Sequence, residues 1–363
     1  MTKTRVALVT GASGQDGFFL TRRLLEDGWI VHAVTRRPNI VAALARSPSE
    51  GERLAVHAVD ILDAEAVARL IREAAPSEIY NLAGQSSVSR SFLEPEETWQ
   101  TNAHAVMLLL DAVRRHAPEA RVYQSSSGEM FGWLPGVSTM HDEDSRFLPQ
   151  SPYAAAKAAA HLLCGTYRRA FGLRIACGIL FNHESHRRPA SFLTRKVVDH
   201  VRRLQASSRE SLPARPLAMG NLAAERDWGY APDYVEGMML VLRQVDVRAT
   251  RRVVREPDVA GNYRDYVLAS GRQHAVWQLV DMAFASAGIQ LDWDRSSSDV
   301  RGWTACFRTD GRKAVIVDPA LLRPSDPPSI AADPSRARAE LGWRPRIGLD
   351  VILQDMLAHP QGA

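Results

Sequence analysis

Cysteine is scarce in this sequence of 363 residues, which contains only Cys164, Cys177 and Cys306. Their number is odd, they are widely spaced, and no two of them form a CxxC motif. This pattern argues against a disulfide scaffold and against a cysteine-based zinc site. We therefore expect three reduced thiols that pack inside a cytoplasmic protein.

Long apolar segments and clusters of basic residues are also missing. No segment reaches the roughly 18 apolar residues of a membrane helix, and the N-terminal apolar run is too short for a signal sequence. Lysine and arginine exceed aspartate and glutamate only by 45 to 41, and they form no basic run with interleaved aromatic residues. We expect neither membrane nor nucleic acid as a partner. Dispersed arginines suit a small anionic ligand, such as a phosphorylated cofactor or a diphosphate.

The composition, 45% apolar and 24% charged, is that of a globular protein, and the length allows one large domain or two smaller ones. Apolar, β-rich runs alternate with helical patterns, which predicts an α/β fold with a doubly wound parallel sheet. The predicted strands are residues 5–10, 29–35, 54–59, 78–84, 121–127, 174–182 and 266–271. The main predicted helices are residues 18–28, 98–116, 153–171 and 273–288.

The first predicted strand runs directly into GASGQDG, which contains Gly11, Gly14 and Gly17. Glycines at this spacing allow a tight turn and the close approach of a diphosphate to a helix N-terminus. A glycine triplet alone is weak evidence. Strand, glycine turn, helix and second strand together indicate a dinucleotide site.

The second predicted strand ends in Arg36 and Arg37, where a fold that selects NAD usually carries an acid. Two arginines instead favour the 2′-phosphate of NADP. The alternative interpretation is a solvated basic loop without a ligand.

The strongest chemical pattern lies between residues 124 and 157. Tyr153 and Lys157 are four residues apart in an alanine-rich run, so they share one helix face. A lysine ammonium beside the tyrosine is expected to lower the tyrosine pKa, so that it can act as a base. Ser127 and Glu129 follow at a strand end, and they share a face if the backbone there is still extended. The alternative is a solvated surface pair.

A polar, basic segment follows residue 182. His183 and His186 are three residues apart, and no third ligand is evident, so we expect a structured loop and no metal. A second basic segment, residues 247–262, has no role that the sequence reveals.

These motifs resemble the extended short-chain dehydrogenases/reductases, and within them the GDP-mannose 4,6-dehydratases. The stretches that carry the resemblance are VTGASGQDG, TRR, EIYNLAGQSSV, YQSSSGEMFG, SPYAAAK, GILFNHESHRR, SFLTRK, GNLAAERDWGYAPDYVE, YVLASG and VDPALLRP. They cover nearly the whole chain. LFNHES and RDWG are more specific than the widely shared YxxxK. The resemblance implies a Rossmann-like NADP-binding domain (1–182, with 225–275 returning to it) and a smaller C-terminal α/β domain for the nucleotide sugar (183–224 and 276–363).

The resemblance also implies roles for individual residues. The catalytic residues would be Ser127, Glu129, Tyr153 and Lys157. NADP would contact Gly11, Gly14, Gln15, Asp16, Gly17, Arg36, Arg37, Asp60, Ile61, Leu82, Tyr153 and Lys157. The GDP-sugar would contact Ser87, Asn182, Lys196, Arg226 and Arg323. The expected reaction is 4,6-dehydration to a 4-keto-6-deoxy sugar, for deoxysugar biosynthesis, by a homodimer or homotetramer.

Several stretches depart from the family pattern. Ser127 stands where the family usually has threonine, Ser87 replaces a histidine, and RPSDPPS replaces RPTEVD. The loop after Arg37 lacks a serine-rich run that helps to form the family's tetramer contact. QSSV and AAKAAAH resemble relatives that act on GDP-manno-heptose. A C4 epimerase of the same fold is the nearest alternative function, and a non-catalytic NADP sensor is a second. Glu129 favours dehydration, and the complete catalytic set argues against a sensor.

Overall fold

The computed structural model describes residues 5–42, 44–135, 140–206, 215–251, 258–323 and 325–360. Part of the basic segment 247–262, residues 252–257, therefore lies outside the described residues. The strands within the described part are β1 (Val6–Thr10), β2 (Ile30–Val34), β3 (Leu54–His57), β4 (Glu78–Asn81), β5 (Arg121–Ser127), β6 (Met140–His141), β7 (Arg174–Leu180), β8 (Asn182–Glu184), β9 (Leu217–Met219), β10 (Glu225–Tyr230), β11 (Tyr266–Leu268), β12 (Gln273–Ala275), β13 (Leu291–Asp294), β14 (Thr304–Phe307), β15 (Lys313–Val317) and β16 (Ala331–Ala332). The α-helices are α1 (Gln15–Glu26), α2 (Pro38–Ala42), α3 (Pro48–Gly51), α4 (Ala64–Ala74), α5 (Val88–Leu93), α6 (Pro95–Trp99), α7 (Ala105–His116), α8 (Pro152–Phe171), α9 (Leu193–Ala206), α10 (Ala231–Leu242), α11 (Gln244–Thr250), α12 (Val276–Ser286) and α13 (Leu349–Ala358).

The central sheet confirms the predicted doubly wound α/β architecture. Seven parallel strands lie in the order β11-β7-β5-β4-β1-β2-β3. Helices α1 and α10 cover one face, with Leu24 and Met238 in its core, and α4 and α7 cover the other, with Leu70 and Leu109. Because β1 is buried from both sides, its sequence VALVT is a continuous apolar run. The strand order reverses between β1 and β4, which opens a crevice at the carboxyl ends of the strands.

Strand β4 ends earlier than predicted because the Thr10 side chain binds the backbone amides that follow it. The prediction extended this strand to residue 84, but it ends at Asn81. The Thr10 hydroxyl accepts hydrogen bonds from the amides of Leu82 and Ala83, each at 3.1 Å. The chain therefore turns away beside the glycine turn that follows β1.

The strand predicted for residues 174–182 is split in the structure. Strand β7 ends at Leu180, and Asn182 begins β8, which belongs to a second, three-stranded sheet in the order β12-β10-β8. In this sheet Asn182 pairs with Trp228 of β10. Asn182 is thus placed beside the RDWG segment, 44 positions further along the chain.

Helix α8 is defined at both ends by local signals. The Ser151 hydroxyl accepts a hydrogen bond from the amide of Ala154, Pro152 occupies the first turn, and Gly172 ends the helix in the left-handed conformation. The predicted helix therefore forms, and it carries Tyr153 in its first turn and Lys157 one turn later.

A second apolar core lies around α9, α12 and α13. Val201, Phe284 and Ile352 are buried there against the four-stranded sheet β13-β14-β15-β9. The three cysteines are free thiols, of which Cys164 and Cys177 are buried and Cys306 is partly exposed. Among the described residues, no helix combines the length and the apolar composition that a bilayer crossing requires.

Candidate active site

The glycine turn between β1 and α1 brings backbone close to backbone. Gly11 has a φ of +71°, and a Cβ at this position would lie 2.8 Å from the amide nitrogen of Ala83. A Cβ at Gly17 would overlap the carbonyl oxygen of Gly11. Gly14 is the N-cap residue of α1 and provides no side-chain hydrogen bond. The N–H groups of the first turn therefore remain available to another acceptor. An anionic diphosphate fits this helix N-terminus.

The side chains of Gln15 and Asp16 face the protein and not the turn. Gln15 donates a hydrogen bond to the carbonyl of His183 at 3.0 Å and accepts one from Ser185 at 2.8 Å. Asp16 lies 2.9 Å from Nε2 of His183. Only the backbone of these two residues is thus available to a diphosphate, while their side chains fasten β8 to α1.

Asp16 and His183 form a buried ion pair. Burial raises the pKa of Asp16, but the charge and the hydrogen bond of His183 oppose this effect and leave the pKa below its usual value. Burial lowers the pKa of His183, and the carboxylate of Asp16 raises it by more, so that the net pKa is above its usual value. His183 is therefore an ion-pair partner of the glycine-turn helix, a role that sequence analysis missed.

Three arginines lie near the end of β2. Arg36 and Arg37 are exposed beyond Thr35, whose hydroxyl accepts the Arg37 amide at 2.9 Å. Arg187, from the loop after β8, lies over the Phe18 ring at 3.6 Å. Burial and then the positive charge of Arg37 lower the pKa of Arg187. No carboxylate within the described residues forms an ion pair with any of the three, so the cluster suits a phosphate.

Arg187 was not among the predicted cofactor residues. Its only signal was its place in the basic HESHRR segment, about 150 positions from Arg37. The structure brings the two arginines together because β8 is fastened to α1 through Gln15 and Asp16.

Three further predicted cofactor residues, Asp60, Ile61 and Leu82, follow β3 and β4. Ile61 and Ala83 line a largely apolar pocket at the ends of β1, β2 and β4, with about 400 Å³ of empty space when the adjoining solvent is included. Asp60 accepts the Leu62 amide at 3.0 Å and thereby closes the turn before α4. Leu82 packs against the core and donates its amide to Thr10.

Glu129 is not on the strand that carries Ser127. β5 ends at Ser127, and Gly128–Met130 form a 3₁₀ turn, so the extended backbone on which the shared face depended is absent at Glu129. The Ser127 hydroxyl accepts the Glu129 amide at 3.3 Å. Both residues nevertheless line the same cleft. The turn, and not strand alternation, brings them together.

Tyr153 and Lys157 are both buried at the end of β5. Lys157 donates a hydrogen bond from Nζ to the carbonyl of Ser125 at 2.8 Å. Burial raises the pKa of Tyr153 to about 12, against the lowering effect of its hydrogen bond with Ser127. Burial also lowers the pKa of Lys157 to about 8. The predicted lowering of the tyrosine pKa by lysine is therefore wrong for this structure, because desolvation of the phenolate outweighs the favourable contacts.

A cleft beside the 3₁₀ turn gathers four of the predicted site residues. Ser127, Glu129, Asn182 and Arg226 line an empty volume of about 270 Å³. Its floor is formed by Phe181 and neighbouring apolar residues. The cleft thus combines a hydroxyl, an amide and a guanidinium with two carboxylate residues, Glu129 and Asp227. The Asp227 carboxylate already accepts the amides of Ser270, Gly271 and Arg272.

Arg226 and Arg323 converge on a carboxylate that sequence analysis did not select. Arg226 lies 2.8 Å from Asp326 and also donates to the carbonyl of Pro327 at 2.9 Å. Arg323 lies 3.6 Å from the same Asp326 oxygen. The two arginines that were predicted to contact the GDP-sugar are therefore brought together, and they share one acid.

Lys196 and Ser87 are not among the residues that line this cleft. Lys196 donates from Nζ to the carbonyl of Ala218 at 2.7 Å, and burial lowers its pKa. Ser87 caps α5 by accepting the Arg90 amide at 3.2 Å. A contact of either side chain with a sugar nucleotide stays a prediction.

Comparison with known proteins adds independent evidence. The profile of the family described as GDP-mannose 4,6 dehydratase matches residues 8–356. The GDP-mannose 4,6-dehydratase of Vibrio cholerae is 37% identical over 369 residues, which covers 98% of this chain and 93% of the relative. Similar solved structures include RMD from Pseudomonas aeruginosa complexed with NADPH (TM-score 0.71, 21% identity, 98% of each chain). UDP-glucose 4-epimerase from Thermus thermophilus in complex with NAD is equally similar in fold (TM-score 0.73, 24% identity, 99% of each chain).

Proposed function

The chain belongs to the GDP-mannose 4,6-dehydratase family, and we propose on this premise that it converts a GDP-sugar to the 4-keto-6-deoxy sugar with NADP. The observation that carries the proposal is the cleft in which Glu129 faces Ser127, Asn182 and Arg226. Fold similarity alone does not separate dehydratases from epimerases, because solved structures of both kinds are similar to this chain. The carboxylate of Glu129 in the cleft favours dehydration.

NADP is the cofactor that suits the residues at the crevice. The uncapped N-terminus of α1 offers amides to a diphosphate, and Arg36, Arg37 and Arg187 offer positive charge without a carboxylate partner in the described chain. Bound NADP supplies a reversible hydride acceptor. The protein supplies the proton transfers and the position of the sugar.

Tyr153 takes the proton from the sugar hydroxyl at C4 as C4 loses hydride. Because burial holds its pKa near 12, little phenolate exists beforehand at neutral pH, and proton transfer accompanies hydride transfer. Lys157, with a pKa near 8, is mainly protonated at pH 7 and supplies a positive charge one helical turn away. Ser127 holds the tyrosine through its hydrogen bond.

Glu129 removes the proton from C5, which the new C4 ketone has made acidic. The same carboxyl group then protonates the departing C6 hydroxyl, and one water leaves. The hydride would return from bound NADP to C6, so no external reductant would be needed. Glu129 would take a proton from solvent and deliver it to C5, and this proton balances the one that Tyr153 takes from the C4 hydroxyl and releases. An epimerase needs no acid–base group at C5, and a sensor needs none of these residues.

The mass of the product tests the proposal. Purified protein is loaded with NADP and incubated with GDP-mannose and, separately, with GDP-manno-heptose. A product lighter by one water supports dehydration and shows which sugar the cleft accepts. A product of unchanged mass with inverted C4 supports the epimerase, and no product from either sugar supports the sensor.

We propose two further properties that rest on the same premise. The chain would form a homodimer or homotetramer, because helices α5 to α8 expose the large apolar side chains Leu93, Trp99, Leu162 and Phe171. Size-exclusion chromatography with light scattering measures this, and a monomeric species at micromolar concentration would contradict it. The division into a cofactor domain (1–182 with 225–275) and a sugar domain (183–224 with 276–363) agrees with the two apolar cores except at two places: Trp228 packs in the core of the sugar domain, and Trp343 packs in the core of the cofactor domain.

A further inference from the structure

We propose that His186, Asp355 and His359 form a binding site for one divalent transition-metal ion of the Zn²⁺ class. One potential ligand atom from each residue lies within 4.8 Å of the other two. Nδ1 of His186 is 3.2 Å from Oδ2 of Asp355, and Nδ1 of His359 is 3.1 Å from Oδ1 of the same carboxylate and 3.0 Å from the backbone carbonyl oxygen of Asp355. Zinc bonds of about 2.0–2.2 Å place tetrahedral ligands roughly 3.3 Å apart. The two nitrogen–oxygen separations match this value, each to a different oxygen of Asp355.

The three residues come from two distant parts of the chain. His186 lies in the loop after β8, whereas Asp355 and His359 are one turn apart at the end of α13. Buried Arg195 fixes this junction, since it donates to the carbonyl of His186 at 3.4 Å and to that of His359 at 3.2 Å. Asp199 pairs with Arg195 at 2.7 Å, so the guanidinium adds little positive charge beside the three ligands.

The donor set indicates which ions fit. Two imidazoles and one carboxylate suit Zn²⁺, Co²⁺ and Ni²⁺, whereas Mg²⁺ and Ca²⁺ prefer oxygen ligands alone. Three protein ligands leave a fourth position for water.

The contacts around the cluster indicate what the ion would do. It would replace the hydrogen bonds between Asp355 and the two histidines and join α13 to the 185–188 loop. Ser185 of that loop holds Gln15 at the start of α1. The site would therefore fasten the C-terminal helix beside the glycine turn. His183 takes no part, because its Nε2 is paired with Asp16.

The test uses the full chain without a histidine tag, treated with a chelator that is then removed. Zn²⁺ is titrated by calorimetry, and Co²⁺ serves as a probe through its visible absorption. His359→Ala is the main variant because this side chain is half exposed near the chain end and its loss should not prevent folding. His186→Ala and Asp355→Asn remove the other ligands, and His116→Ala removes a histidine outside the cluster.

We expect the wild type and His116→Ala to bind one Zn²⁺ per chain and to melt at a higher temperature with the metal bound. The absorption spectrum of the Co²⁺-loaded protein should indicate a low coordination number. Each ligand variant should bind at least about tenfold more weakly and lose the stabilisation. Circular dichroism of the metal-free variants confirms that they are folded. Absence of stoichiometric binding in the wild type, or unchanged affinity in folded His359→Ala, would overturn the proposal and leave a hydrogen-bonded cluster that needs no ion.

Discussion

Replacing Glu129 by Gln should separate oxidation of the sugar from loss of water. The side chain keeps its size and loses its negative charge, so the cleft between Ser127, Asn182 and Arg226 keeps its shape. Tyr153 and Lys157 are untouched, and hydride transfer from C4 should still occur on mixing with substrate. The C5 proton then stays in place, and hydride can return only to C4.

The expected loss can be bounded from the structure. Glu129 is partly exposed, and its hydrogen bond with the Ser127 hydroxyl uses the Glu129 backbone amide and not the side chain, so the substitution should hardly change stability. The loss should therefore appear in turnover, where a positioned acid–base group typically contributes about 10²–10⁴-fold. Glu65→Gln, at the exposed start of α4, is the matched control and should retain full turnover.

Two assays measure these effects. Absorbance of reduced cofactor, followed by stopped flow, reports oxidation at C4. Mass spectrometry in deuterated water reports exchange at C5 and loss of water. The wild type should place deuterium at C5 and the variant should not. Near wild-type turnover in Glu129→Gln would refute the assignment, and a large fall in melting temperature would indicate a structural role instead.

The remaining predictions concern the arginine cluster, the shared acid and the buried ion pair. Arg187→Ala should weaken NADP binding roughly ten- to a hundredfold and leave NAD binding little changed, because charge-assisted hydrogen bonds contribute about 1.5–3 kcal/mol; equal losses in titrations with both cofactors would contradict this. Asp326→Asn removes the acid shared by Arg226 and Arg323 and should tighten GDP binding in calorimetry, whereas weaker binding would show that Asp326 positions the arginines. The ion pair of Asp16 with His183 should stabilise the fold most between about pH 3.8 and 6.5, the ordinary pKa values of the two groups. Its contribution falls below this window as the lowered pKa of Asp16 is crossed, and above it as the raised pKa of His183 is crossed. The difference in melting temperature between wild type and His183→Gln, measured across pH, should follow this course, and a constant difference would count against it.

Local patterns predicted the fold and part of the site. The apolar run before the glycine turn, the alternation of strands and helices, and the spacing of Tyr153 and Lys157 all depend on interactions within a few residues. The structure confirms these elements. It differs from the prediction at the ends of two strands. β4 stops early because Thr10, some 70 positions away, binds its next amides, and Asn182 leaves the central sheet to pair with Trp228.

Contacts between distant segments could not be predicted from local sequence patterns. Arg187 joins Arg37, and Asp326 joins Arg226, only because the sheet and its connections bring these segments together. His186 had no evident third ligand in the sequence around it, since Asp355 is 169 positions away.

The sequence by itself determined that a dinucleotide turn, an arginine pair and a Tyr–Lys pair exist in this chain, because each depends on short-range geometry of strand, turn or helix. The tertiary structure decided how those groups are charged and what surrounds them. Burial raises the pKa of Tyr153 although a lysine lies one turn away, since desolvation depends on every segment packed around the phenol and not on the nearest neighbour in sequence.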